Sequence, residues 1–378
     1  MPLTRRQFAV LPLAGVLPAC SSGGSSGGLA GPMPAAAPAQ ETPSLAQAFG
    51  PRMRFGAAVT PEQVRDPRLA AFIAHQFSVL VAENAMKPAS LSRGEGRYDF
   101  SDADAIVDFA RKQGIPIRGH TLVWHNQAAA WMFTENGVEV SRAVLIARLE
   151  RYIADVVGHF RGRMLSWDVV NEAYVFGEAG VQTDEDGMRM SAWRRIIGPE
   201  FIEIAFRAAA KADPDALLFY NDYESQAPKK VAAMRKMAQG LRAKGVRIDG
   251  IGHQMHCARA WPPVADVAAA IDAIAADGLQ QHVTELDIAL NDQVTGTAVK
   301  AVTEELLQAQ AQRYSELMTL FMAKRDKLGA VLVWGTDDAH SWLLSWPSPR
   351  VEAPLLFDAQ LRPKPAFFAV LNAARAAH

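Results

Sequence analysis

The sequence has almost no cysteine, since its 378 residues contain only Cys20 and Cys257. Cys20 lies close to the start of the chain, in a segment with the features of a leader, so we expect no bond between the two thiols. A disulfide framework or a cysteine-based metal site needs more cysteines than this. The scarcity therefore excludes both, and we interpret Cys257 as a small apolar residue of the core.

An excess of charge of either sign is also missing, because 39 basic and 40 acidic residues leave a formal net charge of −1. This balance gives no reason to expect a nucleic acid or another polyanion as a partner, and it favours a neutral substrate. Hydrophobic residues make up 49% of the chain, which is enough to bury a substantial core in one large domain or two small ones.

The start of the chain lacks a long hydrophobic run, because the apolar stretch 9–19 is too short to span a bilayer as a permanent helix. It follows a pair of arginines, which is typical of a twin-arginine export signal, and it leads into the letters LPAC, which resemble a bacterial lipobox ending at Cys20. We predict that residues 1–20 are an export signal, that the protein is periplasmic or at the cell surface, and that a lipid on Cys20 attaches it to a membrane. The alternative is a plain signal peptide cut near Ala19, which leaves Cys20 as a free thiol.

The next segment, residues 21–44, lacks a core-forming composition, because it consists largely of Ser, Gly, Ala and Pro. Such a composition predicts a flexible linker with an end-to-end distance of roughly 25 Å. The linker would hold a following domain away from a membrane surface without fixing its orientation.

From residue 45 onward, short apolar runs alternate with amphipathic helical segments. The runs predicted as strands are 54–59, 77–82, 115–119, 165–170, 216–220, 250–254, 281–284 and 330–334. The segments predicted as helices include 142–159, 199–212, 229–243, 264–276 and 302–325. This alternation predicts an α/β fold, a closed (β/α)8 or TIM barrel that forms one domain over residues 45–378. The main alternative is a doubly wound open sheet, but no Gly-rich phosphate loop follows the first strand.

Polar and aromatic side chains follow almost every predicted strand, where a barrel places its active residues. They are Glu83, Asn84, Lys87, His120, Trp124, His125, Gln127, Asn171, Glu172, Asn221, Asp222, Gln254, His256, Glu285, Asp287, Trp334, Asp337, Asp338 and Trp342. Glu172 and Glu285 come at the ends of apolar strands and would meet at one end of a closed parallel barrel. A carboxylate pair across a sugar is the apparatus of glycoside hydrolysis. For either glutamate alone, a salt bridge at the barrel rim is an equally good interpretation.

Seven blocks of sequence resemble those of the family 10 glycoside hydrolases, which are chiefly endo-β-1,4-xylanases, in their order and spacing. The blocks are ENAMKP (83–88), GHTLVWHNQ (119–127), WDVVNEA (167–173), YNDY (220–223), DGIGHQMH (249–256), VTELD (283–287) and VWGTDDAHSW (333–342). The resemblance covers nearly all of residues 49–371, and seven blocks in register make it specific. It implies an enzyme that hydrolyses xylan or xylo-oligosaccharides by a retaining double displacement, and we expect no cofactor.

By the same resemblance, Glu172 is the general acid/base, Glu285 is the nucleophile, and Asn171 holds the 2-hydroxyl of the sugar at the cleaved bond. Further substrate-binding residues are implied at Glu83, Asn84, Lys87, His120, Trp124, Gln127, Gln254, His256, Trp334 and Trp342. The two glutamates need different pKa values. We expect Glu172, framed by Trp124, Asn171 and Trp167, to stay protonated.

The resemblance also implies that Gln254 and His256 position Glu285, with Asp287 behind His256. These polar neighbours would favour the ionised form of the nucleophile. The histidines at 120, 125, 253 and 256 are a candidate metal cluster, but no HExxH pattern is present in the sequence. Hydrogen bonding to sugar hydroxyls or to a carboxylate is therefore the favoured interpretation, and we expect no metal site.

The chain departs from the family pattern at Pro88, where many members have Trp, and at Leu343, where many have Arg or Lys. These departures concern the affinity of the sugar subsites and leave the expected reaction unchanged. One alternative function is another retaining β-glycanase that acts on glucan or mannan. A second is a lipid-anchored glycan-binding protein that has lost activity, which is disfavoured because the chain keeps Glu172 and Glu285. We expect a monomer.

Overall fold

The computed structural model describes residues 42–291 and 298–377. The predicted export signal, Cys20 and nearly all of the predicted linker lie outside the described residues. Within those two ranges, no helix is both long enough and apolar enough to cross a membrane.

Eight parallel strands close into a barrel with α-helices on its outside, which confirms the predicted (β/α)8 fold. The strands are β1 (Arg54–Val59), β2 (Val79–Ala82), β3 (Ile117–Val123), β4 (Ser166–Asn171), β5 (Leu217–Asp222), β6 (Gly250–His253), β7 (Gln280–Ala289) and β8 (Leu328–Val333). Each strand pairs in parallel with the next, and β8 pairs with β1 in a register that sets Ala330 beside Arg54. This closed order excludes the doubly wound open sheet.

Twelve α-helices are present in the part of the chain that the structure describes. They are α1 (Leu45–Phe49), α2 (Pro61–Arg65), α3 (Pro67–Gln76), α4 (Pro88–Leu91), α5 (Ser101–Gln113), α6 (Arg142–His159), α7 (Ala192–Ile196), α8 (Phe201–Ala212), α9 (Pro228–Ala243), α10 (Val264–Ala275), α11 (Glu304–Ala323) and α12 (Pro365–Ala376). Single 3₁₀ turns occur at Ala130–Met132, Asp338–His340 and Trp342–Leu344. The predicted helix 142–159 has the observed bounds because Ser141 caps it, accepting the N–H of Val144.

Two strands run well past the ends that the sequence predicts, and others differ from their predicted bounds by one or two residues. The strand predicted at 281–284 continues to residue 289, because the short strand His256–Ala258 pairs with its outer end. The strand predicted at 115–119 is observed as Ile117–Val123, since polar residues at the barrel mouth still form ladder bonds. Two small antiparallel hairpins complete the strand list: Ser92–Gly94 with Arg97–Tyr98, and Thr134–Glu135 with Val138–Glu139.

The main core is the apolar layer between the strands and the surrounding helices. Trp167 on β4 is fully buried in this layer and packs on Phe160 with ring centroids 6.0 Å apart. A Cβ atom added to Gly119 would lie 2.2 Å from the Trp167 ring, so the neighbouring strand needs glycine there. Trp167 is therefore a core residue, which corrects the expectation that it frames Glu172.

Candidate active site

The two glutamates lie at the carboxyl-terminal mouth of the barrel, with side chains only 13% and 6% exposed for Glu172 and Glu285 respectively. Glu172 follows the last residue of β4, whereas Glu285 lies inside β7 and not at its end. Two amides link them. Asn221 Nδ2 donates to Glu285 Oε1 at 2.7 Å and to Asn171 Oδ1 at 2.9 Å. Asn171 Nδ2 in turn donates to Glu172 Oε1 at 3.0 Å.

Asn221 is a site residue that sequence reasoning did not assign, although it belongs to the polar residues at the strand ends. Its Oδ1 accepts the hydroxyl of Thr284 at 2.7 Å, which leaves its N–H groups for the two contacts just described. Asn221 pairs in register with Asn171 across β4 and β5. Two amides side by side on adjacent parallel strands are the signal that would have identified it.

Neutral N–H groups surround the Glu172 carboxyl. Trp124 Nε1 and Gln254 Nε2 each donate to it at 2.8 Å, in addition to the amide already described. Burial raises the pKa of Glu172, but nearby His125, the two donors and Arg189 together outweigh burial and hold the pKa below its ordinary value. These contacts favour the ionised form, which contradicts the expectation of a protonated Glu172.

Gln254 was expected to position Glu285, but its side chain lies on Glu172. Only its backbone serves the other glutamate, since the N–H of Glu285 donates to the Gln254 carbonyl at 2.9 Å. Met255 has a φ of 63°, a left-handed conformation that turns the chain between two site residues. The turn sends Gln254 towards one carboxylate and His256 towards the other.

His256 lies between two carboxylates, as the resemblance implied. Its Nε2 is 3.2 Å from Glu285 Oε2, and its Nδ1 is 2.9 Å from Asp287 Oδ2. Burial lowers the pKa of His256, but Asp287 and Glu285 outweigh burial and raise it to about 10. The ring is thus a cation at neutral pH and donates from both nitrogens. Trp342 Nε1 donates to the same Asp287 oxygen at 2.8 Å, so Asp287 holds the cation and the indole together.

Four polar residues expected to bind sugar lie together at one side of the mouth. Lys87 Nζ donates to Asn84 Oδ1 at 2.9 Å and to Gln127 Oε1 at 3.1 Å. Asn84 Nδ2 donates to Glu83 Oε1 at 3.2 Å. Burial lowers the pKa of Lys87 and raises that of Glu83. Lys87 also lies 5.0 Å above the Trp124 ring, which joins this polar cluster to the Glu172 shell.

A row of rings lines another side of the mouth. Trp334 meets His120 edge to face at 5.3 Å and His256 at 6.4 Å. Trp342 lies 4.9 Å from the His256 ring and 4.9 Å from the ring of Trp346, with the two indole planes tilted by 32°. Sequence reasoning missed Trp346, although it is a tryptophan four residues after a motif tryptophan. Aromatic faces of this kind suit the apolar faces of sugar rings.

His120 is held from inside the barrel by a buried ion pair that sequence reasoning also missed. Asp168 Oδ2 lies 3.0 Å from His120 Nδ1, and Arg118 Nη2 donates to the other Asp168 oxygen at 2.6 Å. Burial raises the pKa of Asp168, but Arg118 and His120 outweigh it and lower the pKa. A charged residue inside each of two predicted strands was the available signal.

The histidines weighed as a metal cluster have separate partners. His253, for example, lies 2.7 Å from Ser225 Oγ and 3.0 Å from Gln281 Oε1. Among the described residues, no three His, Cys, Asp or Glu side chains are grouped to hold one metal ion. Cys257 is buried, and burial raises the pKa of its thiol.

The sequence profile of the glycosyl hydrolase family 10 matches residues 44–373. The chain belongs to this family. The hydrolase is 40% identical over 337 residues to an endo-1,4-beta-xylanase of Geobacillus stearothermophilus, covering 87% of this chain and 98% of that protein. It is 39% identical over 353 residues to a thermostable celloxylanase of Thermoclostridium stercorarium, covering 89% of each.

A solved structure supports the same assignment. It is a mutant of an intracellular xylanase from Thermoanaerobacterium saccharolyticum in complex with xylotriose. Its sequence is 38% identical to this chain, and the match covers 87% of this chain and 98% of that one. The two structures superpose with a TM-score of 0.78. The protein is therefore a glycoside hydrolase with a (β/α)8 barrel.

Proposed function

We propose that this glycoside hydrolase is a retaining endo-β-1,4-xylanase, with Glu285 as the nucleophile and Glu172 as the general acid/base. The observation that carries the proposal is the unequal setting of two buried carboxylates at one barrel mouth. The His256 cation lies 3.2 Å from Glu285 Oε2, opposite the negative charge that a nucleophilic carboxylate carries. The groups that donate to Glu172 are neutral, so its charge is not fixed by an ion pair.

In the first half-reaction, the Glu285 carboxylate attacks the anomeric carbon, the glycosidic C–O bond breaks, and the proton on Glu172 moves to the departing oxygen. The products are a glycosyl ester on Glu285 and a shortened chain with a new hydroxyl. Since Glu172 is ionised in its present contacts, it has to gain a proton before this step. The 2-hydroxyl of the bound sugar would draw the Asn171 amide away from Glu172, and losing that N–H donor raises the pKa of Glu172.

In the second half-reaction, Glu172 is a carboxylate and takes a proton from water. The water oxygen attacks the anomeric carbon, the bond to Glu285 breaks, and the sugar leaves with its original anomeric configuration. The N–H groups that donate to Glu172 favour its carboxylate form at this stage. The esterified Glu285 has lost its charge, which removes one source of repulsion from the newly ionised Glu172.

Xylan is the proposed substrate because the relatives named above are xylanases and because this mouth offers both hydroxyl ligands and stacking rings. Lys87 and Asn84 would grip hydroxyls that xylose and glucose share. Gln127 and Trp342 would occupy the space that the hydroxymethyl group of glucose needs. One relative is named a celloxylanase, so a β-glycanase that also cleaves glucan is the second candidate.

Reducing-sugar assays of the full-length protein on xylan, β-glucan and mannan test the proposal. We expect rapid release on xylan, weak hydrolysis of aryl cellobiosides and none on mannan. Equal rates on xylan and β-glucan would favour the broader glycanase, and no release on any polymer would favour a glycan-binding protein. NMR at early times should show the β-anomer first, whereas an initial α-anomer would exclude the retaining mechanism.

We propose in addition that the protein is exported and held at a membrane by a lipid on Cys20. The support is the order of paired arginines, an apolar run and LPAC within residues 1–20. Wild-type protein should partition with membranes, since more than one acyl chain gives firm attachment. Cys20→Ala removes the acylated residue, so it should release the protein or block its maturation. A wholly soluble wild-type protein with an unmodified N-terminus would rule out the lipid.

A further inference from the structure

We infer that Tyr220 is a positioning residue for Glu172, braced from behind by Asp222 and Lys230. The inference rests on the proposed acid/base role of Glu172. Tyr220 and Asp222 belong to β5, and Lys230 belongs to α9. All three are at most 1% exposed. They are too buried to touch a sugar, so they can affect the reaction only through their neighbours.

The backbone at Glu172 needs such support. Its φ of 57° lies in the left-handed region, which a glutamate rarely adopts and which persists only when the surroundings hold it. The Glu172 N–H still reaches a strand carbonyl, that of Asn221, at 3.0 Å. The next two N–H groups have left the ladder, and those of Ala173 and Tyr174 both donate to Tyr220 Oη, at 2.9 and 3.3 Å. The hydroxyl therefore holds the two peptide groups that follow Glu172, and the bond from the Arg189 N–H to the Ala173 carbonyl, at 2.7 Å, anchors the same segment from its other side.

A tyrosine hydroxyl can accept two N–H groups when its own proton points elsewhere. The Tyr220 hydroxyl donates to one oxygen of Asp222, and the other oxygen accepts Lys230 Nζ at 2.8 Å. Lys230 also donates to the carbonyl of Tyr223 at 2.8 Å and lies 3.7 Å above its ring. The buried cation balances the buried carboxylate, and the pair turns the lone pairs of the hydroxyl towards the backbone beside Glu172.

Proton donation by Glu172 requires its carboxyl to lie within hydrogen-bond reach of the departing oxygen. A displacement of about 1 Å can lower the rate of such a step by about 10²-fold. The loss should depend on the leaving group, because an activated phenol departs without a proton and an unactivated one does not. A general loss of packing would lower both rates alike.

Tyr220→Phe removes the shared acceptor and keeps the ring. We expect kcat/KM to fall about 10–100-fold on phenyl β-xylobioside and by less than about threefold on the dinitrophenyl analogue. Tyr314→Phe is the matched control, because Tyr314 is equally buried and its hydroxyl donates to the Pro354 carbonyl at 2.8 Å, away from Glu172. The control should change both rates by the same factor. Equal losses on both substrates for Tyr220→Phe would make Tyr220 a packing residue and overturn the inference.

Asp222→Asn is the second variant in case Tyr220→Phe does not fold. It keeps an oxygen that can accept the Tyr220 hydroxyl but removes the negative charge that pairs with Lys230. We expect a smaller loss of kcat/KM with the same leaving-group dependence. An equal loss on both substrates would count against the inference.

Glu172→Ala on the same substrates separates the acid/base role of Glu172 from the positioning role of Tyr220. If Glu172→Ala shows no leaving-group dependence, the acid/base assignment itself fails. If Glu172→Ala shows leaving-group dependence and Tyr220→Phe and Asp222→Asn do not, only the positioning role of Tyr220 fails.

Discussion

Glu285 and Glu172 share one barrel mouth but are held in opposite ways. Glu285 lies inside a regular strand and faces a cation, His256, which Asp287 holds in place. Glu172 lies just past a strand in left-handed backbone, and its donors are neutral N–H groups. The proposed nucleophile carries a negative charge when it attacks, and a fixed cation lies opposite that charge. An acid/base exchanges a proton twice in each turnover, and neutral donors leave both of its states accessible.

The histidines beside the two carboxylates differ in charge in the same way. The pKa of His256 is raised to about 10, so the ring is a cation at neutral pH. Burial lowers the pKa of His125 to about 4, although Glu172 opposes this shift. His125 Nδ1 lies 3.9 Å from Glu172 Oε2, beyond hydrogen-bond distance. The ring beside Glu285 is thus charged at neutral pH, while the ring beside Glu172 is neutral.

The largest expected effect comes from deleting each carboxylate. Glu285→Ala should lower kcat/KM on xylan by at least about 10⁴-fold, and Glu172→Ala by about 10²–10⁴-fold. On a dinitrophenyl xylobioside, Glu172→Ala should keep much of its glycosylation rate, because the leaving group needs no proton, whereas Glu285→Ala should not. Steady-state and burst kinetics on the two substrates measure this. Equal losses on the activated substrate would remove the difference between the two halves.

The next effect comes from neutralising the charged half. His256→Asn removes the cation that lies 3.2 Å from Glu285 Oε2, so kcat/KM on phenyl β-xylobioside should fall about 10–100-fold. The matched variant in the other half is His125→Asn, which replaces a ring that is already neutral above about pH 5 and lies 3.9 Å from Glu172 Oε2. It should lower kcat/KM by less than about threefold, because no hydrogen bond to the carboxylate is lost. Equal losses in both variants would contradict the contrast.

The barrel was predictable because it depends on local periodicity, which survives in any single sequence. Helix 142–159 shows this, since Ser141 caps its first turn and apolar residues at helical spacing run along its length. The outer half of β7 was not predictable. It contains the charged residues Glu285 and Asp287, which a strand pattern does not favour. The strand continues only because a separate segment, His256–Ala258, pairs with it.

The candidate site was likewise predictable only in part. That the two glutamates meet at one barrel mouth could be predicted from the sequence, because each follows a short apolar run that the sequence marks as a strand. The direction of a side chain is set by backbone torsions, and the left-handed Met255 turns Gln254 to Glu172 rather than to Glu285. Asn221 was visible at a strand end, but its bond to Glu285 depends on the register between strands.

A smaller effect on sugar preference should come from the row of rings at the mouth, which Trp342 joins to Asp287. Trp342 packs against Trp346 and donates to Asp287, so Trp342→Ala should weaken turnover of xylobiosides and cellobiosides alike. The ratio of the two kcat/KM values should still narrow by about tenfold, because a wall that excludes a hydroxymethyl group discriminates by about 1–3 kcal/mol. Aryl glycosides of both sugars measure the ratio. An unchanged or larger ratio would place the xylose preference elsewhere.

The smallest expected effect is on stability, and it has opposite signs of pH dependence in the two halves. His256 has a folded pKa above its unfolded value of about 6.5, so its stabilising contribution is complete below that pH and is lost as pH rises towards about 10. The gap in Tm between wild type and His256→Asn should therefore shrink from pH 6 to pH 9.5. His125 has a folded pKa below 6.5, so its contribution is present above that pH and is lost as pH falls towards about 4. The gap for His125→Asn should shrink on the acid side instead. Since the His256 side chain is 20% exposed, water weakens its contacts, and we expect differences of only about 2–4 °C by calorimetry. Gaps that shrink in the same direction for both variants would show that the two histidines do not differ in charge.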